Sequence, residues 1–203
     1  MALIIKHPHN YLCTFEKTDK HTDFHSIIYI LSSSKYKTLL TTDAPIYQDT
    51  LRDFWANVSI EEQNNEPFGI TYKVGGELVA ITPTTISTTF EINDLAGKTS
   101  FLKNEFQTEL IERGYDELLN KATMYKPNFP PPMKFLFHTL LTCLSNKITA
   151  FNEMPLKILY LGYAILTNTG FNYSQLLFAD LVNNLKNIKN EKNVATSGCD
   201  IRI

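Results

Sequence analysis

The sequence predicts a mainly α-helical (α+β) fold, in which a helical domain carries one inserted β-hairpin. Most of the chain repeats apolar residues every three or four positions, which is typical of helices with one buried face. One segment instead alternates: apolar residues stand at 70, 72 and 74, and Gly75-Gly76 precedes a second apolar run. Because glycine adopts positive φ without strain, two glycines between such runs favour a tight turn. The hairpin is therefore expected near residues 70–82.

The remaining chain is expected to form one domain with short ends. Residues 1–21 are mixed in character and are expected to be an N-terminal extension, with a short strand around 11–15. Residues 22–187 form a single, mostly helical domain in this interpretation. A proline-rich segment at 126–132 is too short for a flexible tether and is expected to be a stiff loop. Residues 188–203 lose the apolar periodicity, which indicates a frayed tail.

Start and stop signals place the helices. Thr22 or Asp23 can cap the first one, and Thr82-Pro83 has the cap and first-turn residues of another. Gly114 is expected to end a helix in a left-handed conformation. The acidic, amide-rich segment 59–68 is expected to be a loop. Helices are expected at about 24–31, 35–40, 45–55, 83–90, 100–113, 116–125, 132–145, 154–167 and 173–187.

The single tryptophan is expected in the core. Trp55 follows Leu51 by four residues, so the two share one face of a predicted helix. Large aromatic residues on an apolar face are usually buried. Trp55 is therefore predicted to be a core residue.

Composition excludes several classes of protein. The 203 residues have a net charge of −2, and arginine, which supplies bidentate contacts to phosphates and guanines, is scarce. A strongly basic nucleic-acid binder is therefore not expected. The three cysteines Cys13, Cys143 and Cys199 form no CxxC pair, which argues against a disulfide framework or a cysteine zinc site. The apolar stretches fall short of the ~20 residues that span a bilayer. An intracellular protein, cytoplasmic or nuclear and without a membrane partner, is expected.

Catalytic signatures are missing from the sequence. The GxSxG, HExxH, GxGxxG and P-loop motifs are not found. His138 and Cys143 lie in the densest apolar segment, but five residues separate them by about 140° on a helix, which disfavours a nucleophile pair. His138 is instead expected to be a core histidine that is hydrogen-bonded to a carbonyl or hydroxyl group. We expect no catalytic residue, no cofactor-binding residue and no cofactor.

Two histidine pairs have spacings that a metal site could use. His7 and His9 are two residues apart, and His21 and His25 are four apart, which would place them on one helical face. However, His21 precedes the expected helix cap, and the first pair lies near the terminus. Solvated histidines are therefore favoured, and no metal site is expected.

Seven segments in a fixed order carry a resemblance to a known family. They are FHSII (24–28), PIY leading to FW (45–55), the hairpin and helix start YKVGGE to ITP (72–83), F to GY (106–115), MKFLFHTLLTCLS (133–145), TAFNE (149–153) and FNYSQLLF (171–178). On these segments, residues 11–187 resemble the "putative plant transposon protein" domain of plant transposable elements, found in retrotransposon-derived reading frames. Relatives are sometimes labelled synaptobrevin or longin-like, but a longin fold needs five strands and the sequence predicts one hairpin. Phe151 replaces a usual tryptophan, and the end at Ile203 indicates a truncated copy.

The resemblance implies a mobile-element protein, and the family has no established active site to transfer. The leading expectation is a non-catalytic structural or interaction domain, with gag-like assembly around element RNA as one form. The expected partners are further copies of the chain or other element proteins, whereas the charge does not favour nucleic acid. The alternatives are a nuclear DNA-associated adaptor similar to the plant mobile domain and a degenerate hydrolase or nuclease.

Overall fold

A computed structural model describes residues 4–5, 11–43, 46–115, 124–145 and 153–195, and the structural statements below concern these residues. It is mainly helical with a small antiparallel sheet, as predicted. The helices are α1 His25–Ser33, α2 Lys37–Thr41, α3 Gln48–Asn57, α4 Pro83–Thr89, α5 Lys103–Glu112, α6 Pro131–Leu144, α7 Leu156–Thr167 and α8 Tyr173–Ala195. The strands are β1 Ile4–Ile5, β2 Ile46–Tyr47, β3 Ser59–Gln63, β4 Glu66–Val74 and β5 Glu77–Ile81.

The predicted hairpin is present and is part of a three-stranded sheet. Strands β4 and β5 pair antiparallel around Gly75-Gly76, whose φ values are +58° and +89°. The third strand, β3, corrects the expectation of a loop at 59–68. It pairs antiparallel with β4 across Asn64-Asn65, both at positive φ. Asparagine tolerates this conformation better than other non-glycine residues, so it can make the second turn.

A large apolar cluster occupies the helical part of the molecule. Its fully buried side chains include Leu31 and Leu40 of the N-terminal helices and Leu136, Phe137 and Leu140 of α6. Helices α6 and α7 pack together at Gly162, where an added Cβ would stand 2.1 Å from Cε1 of Phe137. The glycine thus makes room for the ring of the neighbouring helix.

A second cluster lies between the sheet and α8. Ile70 of β4, Ile86 of α4 and Phe178 of α8 are buried there, and Phe54 of α3 packs against it. Phe90 and Leu177 contact both clusters, which joins the two apolar regions.

The prediction that Trp55 is a core residue is wrong. Its side chain is 38% exposed, because α3 packs on β4 through the preceding residue, Phe54. The Phe54 ring lies edge-on to Tyr72, with ring centroids 5.0 Å apart, and Trp55 lies beside Phe54 on the outer side. One position along a helix is a rotation of about 100°, enough to move a side chain out of an interface.

Several element boundaries also differ from the expectations. Neither Thr22 nor Asp23 caps α1: a 3-10 turn at Asp19–Phe24 leads into it, and the helix begins after Phe24 without a side-chain cap. Residues 11–15 form no strand, although the Cys13 N–H donates to the Leu40 carbonyl at 2.8 Å. Ile46 and Tyr47 pair with β1, so α3 starts only at Gln48.

At the C-terminal side, α8 extends to Ala195, into the segment 188–203 that was expected to be frayed. In the proline-rich segment, a 3-10 turn at Lys126–Asn128 is followed by two extended residues and then by α6, with Pro131 in its first turn. The helix expected at 116–125 lies for the most part outside the described residues. The predicted caps Thr82 and Gly114 are confirmed, the latter at φ +91°.

Candidate functional site

The reactive residues that the sequence singled out both lie on α6, and this helix positions them on different sides. His138 is exposed, so the expectation of a core histidine is wrong. Cys143 is partly buried and packs against the large cluster. The helical rotation between them, about 140°, therefore separates their environments as predicted.

His138 belongs to a basic cluster that we define by three residues: Lys126, Lys134 and His138. The Nζ of Lys126 lies 3.1 Å from Nδ1 of His138, so the 3-10 turn before α6 brings its lysine back over the helix. The Nζ of Lys134 donates to the carbonyl of Pro127 at 3.4 Å, which holds the second ammonium over the same turn. Lys134 and His138 are four residues apart and therefore neighbours on the helix surface.

The surroundings of the basic cluster favour the neutral form of His138, whose Nδ1 accepts a hydrogen bond from the Lys126 ammonium. Partial desolvation lowers the pKa of His138, and the charge of Lys126 lowers it further. Among the described residues, neither Lys126 nor Lys134 forms a salt bridge. The positive end of the α6 dipole lies at the first turn, which contains Lys134 of the cluster and no acidic residue.

Cys143 is in a different setting. Burial, with a smaller contribution from the nearby Cys13 thiol, raises the pKa of Cys143 to about 11. A thiol with this pKa is almost entirely protonated at neutral pH and is therefore a poor nucleophile.

A buried polar contact lies elsewhere, where the loop after α4 meets the start of α8. The carboxylate of Asp94, 1% exposed, accepts from the Ser174 N–H at 2.8 Å and from its hydroxyl at 2.7 Å. The Tyr36 hydroxyl donates to the Phe171 carbonyl at 2.7 Å, and burial together with the nearby Asp94 charge raises the pKa of Tyr36. Gly97 lets the two backbones meet, since an added Cβ would stand 2.6 Å from Phe171. Each of these polar atoms has a hydrogen-bond partner within the protein, so the contact has a structural role. We call this contact between the loop after α4 and the start of α8 the joint.

The flank of α3 is the third feature. We use this name for Tyr47, Leu51 and Trp55, which recur every four residues and are 41%, 36% and 38% exposed. Leu51 and Trp55 lie on one side of the helix, with Tyr47 one turn earlier at its N-cap. Arg52 and Asp49, paired at 3.2 Å, are exposed nearby. Aromatic side chains at a surface are the residue types that most often anchor protein–protein contacts.

Within the described part of the chain, the histidines are not arranged as ligands of a metal ion. His21 has non-helical dihedral angles, so it does not share a helical face with His25, whose Nε2 lies 3.0 Å from the Thr18 carbonyl. Those residues contain no group of three potential ligands among His, Cys, Asp and Glu. His7 and His9 lie outside them.

Sequence reasoning missed the basic cluster and the joint for different reasons. The spacing of Lys134 and His138 could have indicated a shared helical face, but only the turn at 126–128 brings in Lys126. Asp94 and Ser174 are 80 residues apart, and no local pattern connects them.

Comparisons with known proteins give no match: no family model, no curated protein and no solved structure resembles the chain closely enough to be matched. In the described residues, no helix has both the length and the apolar character required to cross a membrane.

Proposed function

We propose that the chain is a non-catalytic interaction domain that associates with further copies of itself, in the cytoplasm or nucleus. The observation that carries the proposal is the exposed flank of α3, which presents the single tryptophan to the surface. The resemblance of the sequence to transposable-element proteins supports the same kind of role.

The spacing of the flank fits a second copy. If two α3 helices pair antiparallel around a two-fold axis at Leu51, each Leu51 meets its equivalent, since such an interface is self-complementary. Position 47 of one copy then lies opposite position 55 of the other, so Tyr47 packs against Trp55.

The environments of the two reactive residues support a role without catalysis. His138 contacts Lys126 on the surface, and Cys143 is a partly buried thiol with a raised pKa. A nucleophile needs an adjacent base or a lowered pKa, and the described surroundings of Cys143 offer the opposite.

Size-exclusion chromatography with light scattering tests the proposal. We expect a mass above the 23.2 kDa of one chain for the wild type, and 23.2 kDa for Leu51→Ser and Trp55→Ser. Leu78→Ser is the matched control, because Leu78 is 68% exposed on β5 and does not belong to the flank. A wild type of 23.2 kDa at every concentration would contradict self-association.

The same experiment with single-stranded RNA addresses the gag-like form of the proposal. A further rise in mass on adding RNA supports assembly around RNA. An unchanged mass restricts the function to contacts between protein chains.

A further inference from the structure

We propose that the basic cluster of Lys126, Lys134 and His138 is a binding site for a terminal phosphoryl group, as in inorganic phosphate or a phosphate monoester. The site is separate from the flank of α3, and the proposal does not depend on self-association.

The geometry places three potential donors around one small area. Lys126 and His138 are already in contact at 3.1 Å, and Lys134 is held over the same 3-10 turn through Pro127. The Lys126 ammonium donates to the neutral imidazole of His138, and neither lysine of the cluster has a carboxylate partner among the described residues. A bound anion would supply the opposite charge that both ammonium groups lack there. A dianion that accepts from both lysines would also favour the protonated, donating form of His138.

The surroundings favour an anion further. The positive end of the α6 dipole lies at the first turn, which carries no acidic side chain. The elements that pack against α6 bring charged and titratable groups of their own. They are Asp19, Lys20, His21 and Asp23 of the 3-10 turn Asp19–Phe24, His25 of α1, Lys37 of α2 and Lys157 of α7. Glu153 lies opposite Tyr125, next to Lys126 in sequence. None of these forms a salt bridge with the cluster among the described residues.

The size of the cluster favours a single phosphoryl group over a nucleic-acid strand. Nucleic acid needs a track of positive charge along its backbone. The cluster contains three groups and no arginine, and the chain as a whole carries a net charge of −2. A terminal phosphate offers two negative charges at one point, which matches two ammonium groups.

The test is an NMR titration of the His138 ring, assigned with His138→Gln, using sulfate as the probe. Sulfate remains a dianion across the pH range in which histidine titrates, so only the protein changes its charge. We expect sulfate, but not chloride at equal ionic strength, to raise the pKa of His138. By linkage, the affinity for sulfate should then fall as the pH rises through that pKa.

Variants that each remove the charge of one lysine test which lysines bind the anion. Lys126→Met and Lys134→Met should each weaken sulfate binding about tenfold, as expected for one charge-assisted contact. Lys186→Met changes the net charge equally but removes a lysine that is paired with Glu62 on β3, and it should bind sulfate as the wild type does. His138→Gln should bind more weakly at pH 5.5 and lose the pH dependence.

Two further titrations distinguish the sources of the phosphoryl group. Inorganic phosphate and glycerol 3-phosphate should both displace sulfate, and the tighter of the two identifies the class of ligand. The proposal is overturned if sulfate moves the His138 signal no more than chloride, if both lysine variants bind normally, or if single-stranded RNA displaces sulfate while glycerol 3-phosphate does not.

Discussion

Asp94 binds Ser174 through two hydrogen bonds that bridge 80 residues of sequence, and both side chains are almost completely buried. The aspartate follows α4, and the serine stands in the first turn of α8. The Asp94 carboxylate accepts from an N–H group in the first turn of α8 that has no partner within the helix. The helix dipole also favours a negative charge at this end. Asn172 adds a second cap, since its Oδ1 accepts from the Gln175 N–H at 2.9 Å. The loop at 94–98 therefore fixes where α8 begins.

We expect Asp94→Asn and Ser174→Ala each to lower the free energy of unfolding by about 1–3 kcal/mol, because each leaves a buried group without its partner. The effects should not add, since both variants break the same contact. Urea unfolding of the two single variants and the double variant measures this, with Ser33→Ala at an exposed position of α1 as control. Fully additive losses would show that the two residues act independently.

Gly162→Ala should destabilise the protein by about 1–3 kcal/mol through overpacking, although alanine is the better helix former. The added methyl group would stand 2.1 Å from the Phe137 ring, inside the α6–α7 contact. Thermal unfolding measures the loss, and Phe137→Leu in the Gly162→Ala background should recover part of it. A Gly162→Ala protein as stable as the wild type would mean that the two helices are not packed this closely.

The neighbours Phe54 and Trp55 should respond differently to truncation. Phe54→Ala removes a ring packed between α3 and β4 and should cost about 2 kcal/mol or more. Trp55→Ala removes an exposed side chain and should cost less than about 1 kcal/mol. Chemical unfolding at low protein concentration separates these effects from self-association. A larger loss for Trp55→Ala than for Phe54→Ala would place the tryptophan in the core after all.

Cys143 should react slowly with thiol probes in the native protein. Its pKa of about 11 leaves only about one molecule in a thousand as thiolate at pH 8. Labelling with a thiol reagent, followed by mass spectrometry of the modified peptide, should accelerate with pH and become fast on unfolding. Rapid stoichiometric labelling at neutral pH would instead reveal an activated thiol and support the enzyme alternative.

The sequence predicted the elements with strong local signals. Gly75-Gly76 and the alternating residues around it specify a hairpin, and Thr82-Pro83 specifies a helix start; both are confirmed. Strand β3 escaped prediction because Ile60 is its only apolar residue, although Asn64-Asn65 was a usable turn signal.

Tertiary contacts decide what the sequence left undetermined. Periodicity groups Leu51 with Trp55, but only the packing of Phe54 on Tyr72 determines which side of α3 faces inward. Likewise, the apolar residues around His138 in the sequence led to the prediction that His138 is buried. In the structure, His138 lies on the exposed side of α6, in contact with Lys126. The basic cluster depends on a turn that folds back over the helix, and no spacing rule encodes that contact.

Trp55 makes self-association directly measurable, since it is the single tryptophan and lies in the proposed interface. The measurement is the emission maximum of Trp55 over a dilution series, recorded together with the light-scattering mass. We predict a shift to shorter wavelength as the mass rises, because pairing of the α3 flanks removes the indole ring from water, and we predict no shift for Leu51→Ser. A rise in mass without any change in Trp55 emission would contradict association through α3, and an unchanging mass would contradict self-association itself.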